Sequence, residues 1–200
     1  MMSISLKSMK AAQTTALKIY YPLGTVRCDG PPVFRSQLAR DIACLLDVDD
    51  EVMSWSCMSV PLVLGDEIHR PDFEVTSADG PGLIDAGCEV AGQFSSVVER
   101  AAAAGYRYEI VDRAALPPIR LKNAKDLLRY SRFETALSDR IRLLAALDEH
   151  GSLSVGECMN AFMETKPIAG LANLVLHRFI EMELDEALIG PETQVRRKRG

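Results

Sequence analysis

Between Val52 and Val90 the chain reads as three strands joined by two tight turns, and this run constrains the fold more than any other. Val52–Leu64 is rich in apolar and small residues, with Trp55, Val60, Leu62, Val63 and Leu64. Gly65-Asp66 makes a turn, Ile68–Thr76 a second strand, Ser77–Gly82 a loop of turn residues, and Leu83–Val90 a third strand. Two short connections between three strands predict an antiparallel meander.

Helical spacing brackets the meander. Leu38, Ile42, Leu45 and Leu46 fall on one stripe of a helix over residues 34–46, closed by Asp47-Val48-Asp49-Asp50 as an acidic turn. Phe94–Gly105 reads as a second helix ended by glycine, and Tyr106–Val111 as a fourth strand. The order predicts an α/β (α+β) domain over 31–116, a sheet with helices against it. Residues 1–30 are broken by Pro22, Gly24 and Gly30 and read as an irregular arm, with a short strand at Leu17–Tyr21.

Pro117-Pro118 marks the expected boundary of a second domain over 117–200. Leu121–Phe133 and Thr135–Glu149 read as helices, the latter with Leu137, Ile141, Leu144 and Leu147 on one face and Gly151 as its stop. Ser154 with Glu157 forms a capping box opening a third helix. Pro167 precedes a fourth, from Ile168 to Met182, and Leu184–Val195 reads as a hairpin turning at Gly190-Pro191. These are the parts of a winged-helix-like domain.

Composition narrows the class. Of 200 residues, 48% are hydrophobic and 26% charged, as in an ordinary globular protein. No apolar run approaches the ~20 residues that span a bilayer. With no signal peptide evident, a cytoplasmic protein without membrane contact is expected. Cys28, Cys44, Cys57, Cys88 and Cys158 form no CxxC pair and do not cluster in sequence with His69, His150 or His177, so reduced thiols are expected. The net charge of −5 argues against an all-over nucleic-acid coat, but it is uneven. Residues 1–104 hold 8 basic and 14 acidic side chains; residues 105–200 hold 15 and 14.

The sharpest chemical feature is Pro71-Asp72-Phe73 in one strand and Asp85 in the next. Converging carboxylates can hold Mg²⁺, which activates water and offsets charge on a scissile phosphate. Two aspartates at strand ends are more often solvated or capping residues. A nuclease of this kind adds a lysine two residues after the second acid, to hold the attacking water. Here that position is Gly87, and no lysine occurs between Lys18 and Lys122. Arg70 and Arg100 are the nearby cations in sequence, but guanidinium is a poor proton acceptor.

Residues 36–133 resemble the TnsA-type endonuclease subunit of heteromeric transposases. The resemblance is carried by Ser36-Gln37-Leu38-Ala39-Arg40-Asp41, by Val52–Pro61, and by Arg70-Pro71-Asp72-Phe73-Glu74-Val75. It continues through Tyr106–Val111 and Leu121-Lys122-Asn123-Ala124-Lys125-Asp126-Leu127-Leu128-Arg129-Tyr130. It implies a restriction-endonuclease-like fold and a catalytic and metal-binding pair at Asp72 and Asp85. It also implies losses. The helix glutamate of the family stands as Ala39, the lysine as Gly87, and a glutamine of the first strand is replaced around Ser59-Val60-Pro61. Losing such groups costs orders of magnitude in rate.

The expectation is therefore a nuclease-fold protein with a degenerate site, serving as a DNA-binding or transposase-assembly subunit. Two alternatives stand beside it. One is a divergent but active metal-dependent endonuclease that recruits Glu74, Glu89 or Gln93; the other is a stand-alone regulatory protein. DNA contact would be of the backbone type and salt-dependent. It would run through the tail Arg196, Arg197, Lys198 and Arg199, through a stripe of Lys122, Lys125, Arg129 and Arg132, and through Arg178. Tail and stripe could also be solvated surface. The fourth helix would expose Ala172, Asn173, His177, Arg178 and Glu181, thin provision for reading bases.

Overall fold

Helix, meander, helix and fourth strand build the N-terminal half in the expected order; the computed structural model describes residues 24–87 and 94–199. The strand expected at Leu17–Tyr21 lies outside those residues.

Helix α1 (Gln37–Val48) starts where the Ser36 hydroxyl accepts from Ala39 N at 3.0 Å, satisfying an orphan amide of the first turn. It runs two residues further than predicted, so Asp47 belongs to the helix and not to an acidic turn. Asp47 is fully buried, and its Oδ1 accepts from Val26 N, Arg27 N and Trp55 Nε1. Sequence reads an aspartate near a helix end as solvated; here three N–H groups of other segments draw it inward.

Strands β1 (Val52–Cys57), β2 (Leu62–Leu64), β3 (Glu67–His69), β4 (Phe73–Ser77) and β5 (Gly80–Ala86) follow. The first two predicted strands are each cut in two. Met58 takes a left-handed φ of 48° and ends β1, and Pro61 brings no amide to the ladder. The released stretch forms a separate hairpin, β2–β3, turning at Gly65-Asp66 as predicted. The antiparallel meander is β1–β4–β5, with Trp55 opposite Val75 and Glu74 opposite Leu83. Its second turn is only Ala78-Asp79, closed by Gly80 at φ 103°, so β5 starts three residues early. Residues 88–90 of the predicted third strand lie outside the described residues.

Helix α2 (Phe94–Ala103) ends at Gly105, and β6 (Arg107–Val111) returns parallel to β5, giving the order β1-β4-β5-β6. One face of this mixed sheet packs Trp55, Phe73 and Val75 against Phe34, Ile42 and Leu46. The other packs Leu83 against Val97 and Ala101 of α2 and Leu62 of the hairpin.

Helix α3 (Pro118–Leu128) opens with Pro118 in its first turn and stops five residues before the predicted end. It buries Ala124, Leu127 and Leu128 against Cys44 and Val48 of α1 and against Ala172 and Leu176 further on. The boundary expected at Pro117-Pro118 thus adjoins a core shared by both halves.

Helix α4 (Leu137–His150) ends at Gly151, φ 76°. Its buried face differs from the expected one: Asp139, Leu143 and Leu147 are inside, while Leu137 and Ile141 are 59% and 58% exposed. The rotation follows from Asp139, whose carboxylate accepts from the amides of Met163, Glu164 and Thr165. Strand β7 (Ser152–Ser154) leads into α5 (Val155–Cys158), where the Ser154–Glu157 capping box forms as predicted. Helix α6 (Pro167–Leu176) is shorter than the expected Ile168–Met182, because Arg178 adopts φ 61° and turns the chain into β8 (Ile180–Met182). The hairpin expected over Leu184–Val195 is instead the connection 183–193 to β9 (Gln194–Arg197). Arg196 and Arg197 therefore sit in a strand, not a tail. The small sheet is antiparallel in the order β7-β9-β8. No helix among the described residues is long and apolar enough to cross a membrane.

A candidate site where two carboxylates share one guanidinium

Asp72 precedes β4 and Asp85 lies near the end of β5. The register that sets Phe73 opposite Ile84 brings the two acids side by side. Their side chains converge as the spacing predicted. Arg35, in the lead-in to α1, reaches between them: its Nε donates to Asp72 Oδ1 at 2.8 Å and its terminal nitrogen to Asp85 Oδ1 at 3.4 Å.

The remaining oxygens are also taken. Ala86 N donates to Asp72 Oδ2 at 2.9 Å, and Asp72 N to Asp85 Oδ1 at 3.1 Å. Asp85 Oδ2 accepts from the Tyr108 hydroxyl and from His69 Nε2, both at 2.6 Å; the carboxylate partner assigns the proton to that ring nitrogen. The Asp72 and Asp85 side chains are only 8% and 14% exposed, so these donors carry the compensation that water would otherwise supply. Burial opposes the Arg35 charge, but the hydrogen bond to Asp72 and the field of both acids hold its guanidinium above the ordinary value. Burial, and then the bond to Asp85, pushes the Tyr108 phenol up.

The site opens on a cleft of about 330 Å³ walled by Glu67 and Ile68 of the hairpin, Gly87, and Phe94 and Val97 of α2. As arranged, the pair does not fit Mg²⁺: all four carboxylate oxygens accept from the protein and a guanidinium fills the space between them. Gly87, where the resemblance would expect a lysine, donates its amide to Val111 O, and a Cβ built on it meets nothing within 4 Å. Ala39, where the resemblance would expect a glutamate, is fully buried in the α1 core. Arg70 and Arg100 bond instead to the carbonyls of Met58 and Val63. Glu74 is held by Ser59, Ser56 and Tyr106; Glu89 and Gln93 lie outside the described residues.

The basic residues are dispersed. Lys122 and Arg129 both pair with Asp126. Lys125 pairs with the buried Asp41, which Arg113 and Gln37 also approach. Arg178 donates to the carbonyls of Asp49 and Val52, at 2.7 and 2.5 Å. Arg197 pairs with Asp148 and Lys198 with Asp50. Arg196 and Arg199 are exposed, with no ion pair among the described residues. Of the face expected to be exposed, Ala172 and Asn173 are buried and Arg178 is half-buried, while His177 and Glu181 are exposed beyond the end of α6.

Sequence reasoning missed Arg35, His69 and Tyr108. His69 lies three residues before Asp72, a proximity that was legible. Arg35 and Tyr108 arrive from distant segments, and only the sheet order brings them in. No known protein family and no curated protein shows a significant match to this chain.

Proposed function

We propose that this chain is a nuclease-fold protein that has lost cleavage and works as a soluble, cytoplasmic assembly subunit in transposition or related DNA processing, in the manner of TnsA-type subunits. The observation that carries the reading is the Arg35 guanidinium lodged between Asp72 and Asp85, where a cleaving relative would use a metal ion. The order helix, antiparallel meander, helix, parallel strand, with both acids at one end of the sheet, supports the restriction-endonuclease-like reading. The order α4–β7–α5–α6–β8–β9, with β9 between β7 and β8, supports a winged helix behind it.

Protein docking is favoured over DNA reading. In a winged helix α6 would enter the groove, yet seven of its ten residues are buried against α3, α4 and the small sheet. The wing 183–193 carries Glu183, Asp185, Glu186 and Glu192, which repel phosphate. DNA contact is left to Arg196 and Arg199, and would be weak and salt-dependent.

The test is a nicking assay on supercoiled DNA with Mg²⁺ or Mn²⁺, beside calorimetric titration of either metal. The expected result is no nicking and no binding heat. Nicking that disappears in Asp72→Ala would establish the divergent active endonuclease instead.

A further inference from the structure

Cys28 and Cys57 meet where the N-terminal segment crosses β1. Cys28 bridges to Trp55 in parallel fashion, with Asp29 N donating to Trp55 O at 2.7 Å and Trp55 N to Arg27 O at 3.0 Å. Cys57 lies two residues beyond Trp55, on the same face of the strand. Both side chains pack, partly buried, against the core of Phe34, Trp55 and Phe73, where the two thiols interact, and the Cys28 thiol donates to Gly30 O at 3.6 Å. Each is a free thiol.

Both segments run directly into the carboxylate site. Arg35 lies seven residues after Cys28, and Met58, next to Cys57, donates its amide to Asp72 O at 3.1 Å. A covalent link between the two sulfurs would close a ring running from Cys28 through Arg35, Asp72 and Met58 back to Cys57.

We propose that Cys28 and Cys57 are an oxidisable pair, and that their disulfide clamps the segment carrying Arg35 against β1. The oxidant is a hydroperoxide. Cys57 attacks first, because the amide of Val33 donates to its sulfur and favours the thiolate there. Cys28, the sulfur beside it, resolves the product. The Cys57 thiolate takes the distal peroxide oxygen, the O–O bond breaks, and the leaving oxygen is protonated to water or alcohol. Cys57 is then a sulfenic acid. The Cys28 sulfur attacks the Cys57 sulfur, the S–O bond breaks, and hydroxide departs with the Cys28 proton as water. Two thiols and one hydrogen peroxide give one disulfide and two waters. Cys44 and Cys158 do not compete: both are buried, and burial pushes both up to about 11.

The proposal does not depend on the DNA-processing reading. The full chain is treated with equimolar hydrogen peroxide and mapped by mass spectrometry after digestion. Two of the five thiols are lost, with fragment 28–35 joined to fragment 52–67 and dithiothreitol reversing the link. Amide exchange across 28–36 slows in the oxidised protein. Cys28→Ser stops at a Cys57 sulfenic acid that dimedone traps. Cross-links to other cysteines, or oxidation without a 28–57 link, would each overturn it. The wild-type map decides the matter even if a variant fails to fold.

Discussion

Arg35 Nε faces Asp72 Oδ1 at 2.8 Å, and this contact ties the lead-in of the first helix to the start of β4. One cation thereby bridges two poorly exposed acids, Asp72 just before β4 and Asp85 in β5. Removing it leaves both acids near one another without their shared partner.

Arg35→Ala should therefore destabilise the protein. Breaking a buried pair costs about 3–5 kcal/mol, and the 35% exposure of Arg35 reduces this to about 1–3 kcal/mol. The vacated space should also admit a divalent cation, so millimolar Mg²⁺ should raise the Tm of the variant and leave the wild type unchanged. Thermal unfolding with and without Mg²⁺ measures both effects. A variant as stable as the parent would show that the guanidinium does not hold the pair.

Arg178 joins the two halves through the carbonyls of Asp49 and Val52, and Arg27 does so through Leu176 O. Arg178→Ala removes a charged donor from both carbonyls at the junction, leaving Asp49 O only the 3.4 Å bond from Val52 N, a loss of about 1–3 kcal/mol. Urea midpoints should fall accordingly, and amide exchange at the start of β1 should accelerate.

Two buried aspartates make opposite contributions to pH dependence. Backbone N–H donors hold Asp139 below its ordinary value in spite of desolvation. Its stabilisation is complete above the unfolded value of about 3.9 and is lost as pH falls through the folded value. Burial instead raises Asp47, against the pull of its N–H donors, and its Oδ2 has no hydrogen-bond partner. Between the unfolded value and that raised value the folded state keeps a proton the unfolded chain releases, so stability falls as pH rises. Asp139→Asn should be less stable at neutral pH, with a weaker acid loss. Asp47→Asn should be no less stable at neutral pH, and should lack the opposing slope. Urea titrations across the acidic and neutral range separate the two.

Gly170 on α6 leaves room for Phe162: a Cβ there would lie 2.4 Å from the ring. Phe162 is itself buried, so the ring cannot swing aside. Gly170→Ala should cost about 1–3 kcal/mol by overpacking, exceeding the ~1 kcal/mol gain in helix propensity. Shortening the neighbour in Gly170→Ala/Phe162→Leu should restore much of the loss, read from thermal midpoints.

The legible elements were those signalled by local chemistry. The stops at Gly105 and Gly151, the Gly65-Asp66 turn and the Ser154–Glu157 capping box need only neighbouring residues, and they form where predicted. The errors lie where distant groups override local pattern. Leu137 and Ile141 share helical spacing with Leu147, yet α4 turns by the demand of Asp139 for three amides of another loop. Arg178 reads as an exposed helical base, but its guanidinium serves carbonyls 129 and 126 residues away.

The site divides the same way. The pairing of Asp72 with Asp85 followed from sequence alone, because a short turn between adjacent strands leaves little choice of register. What surrounds the pair did not. Arg35, 37 residues before Asp72, and Tyr108, 23 residues after Asp85, reach it only once α1 lies on one face of the sheet and β6 runs parallel to β5. Sequence determines which acids stand together, since that is set by local backbone geometry. Tertiary structure decides whether a guanidinium or a metal ion neutralises them, since that depends on which side chains the packed core delivers to their oxygens.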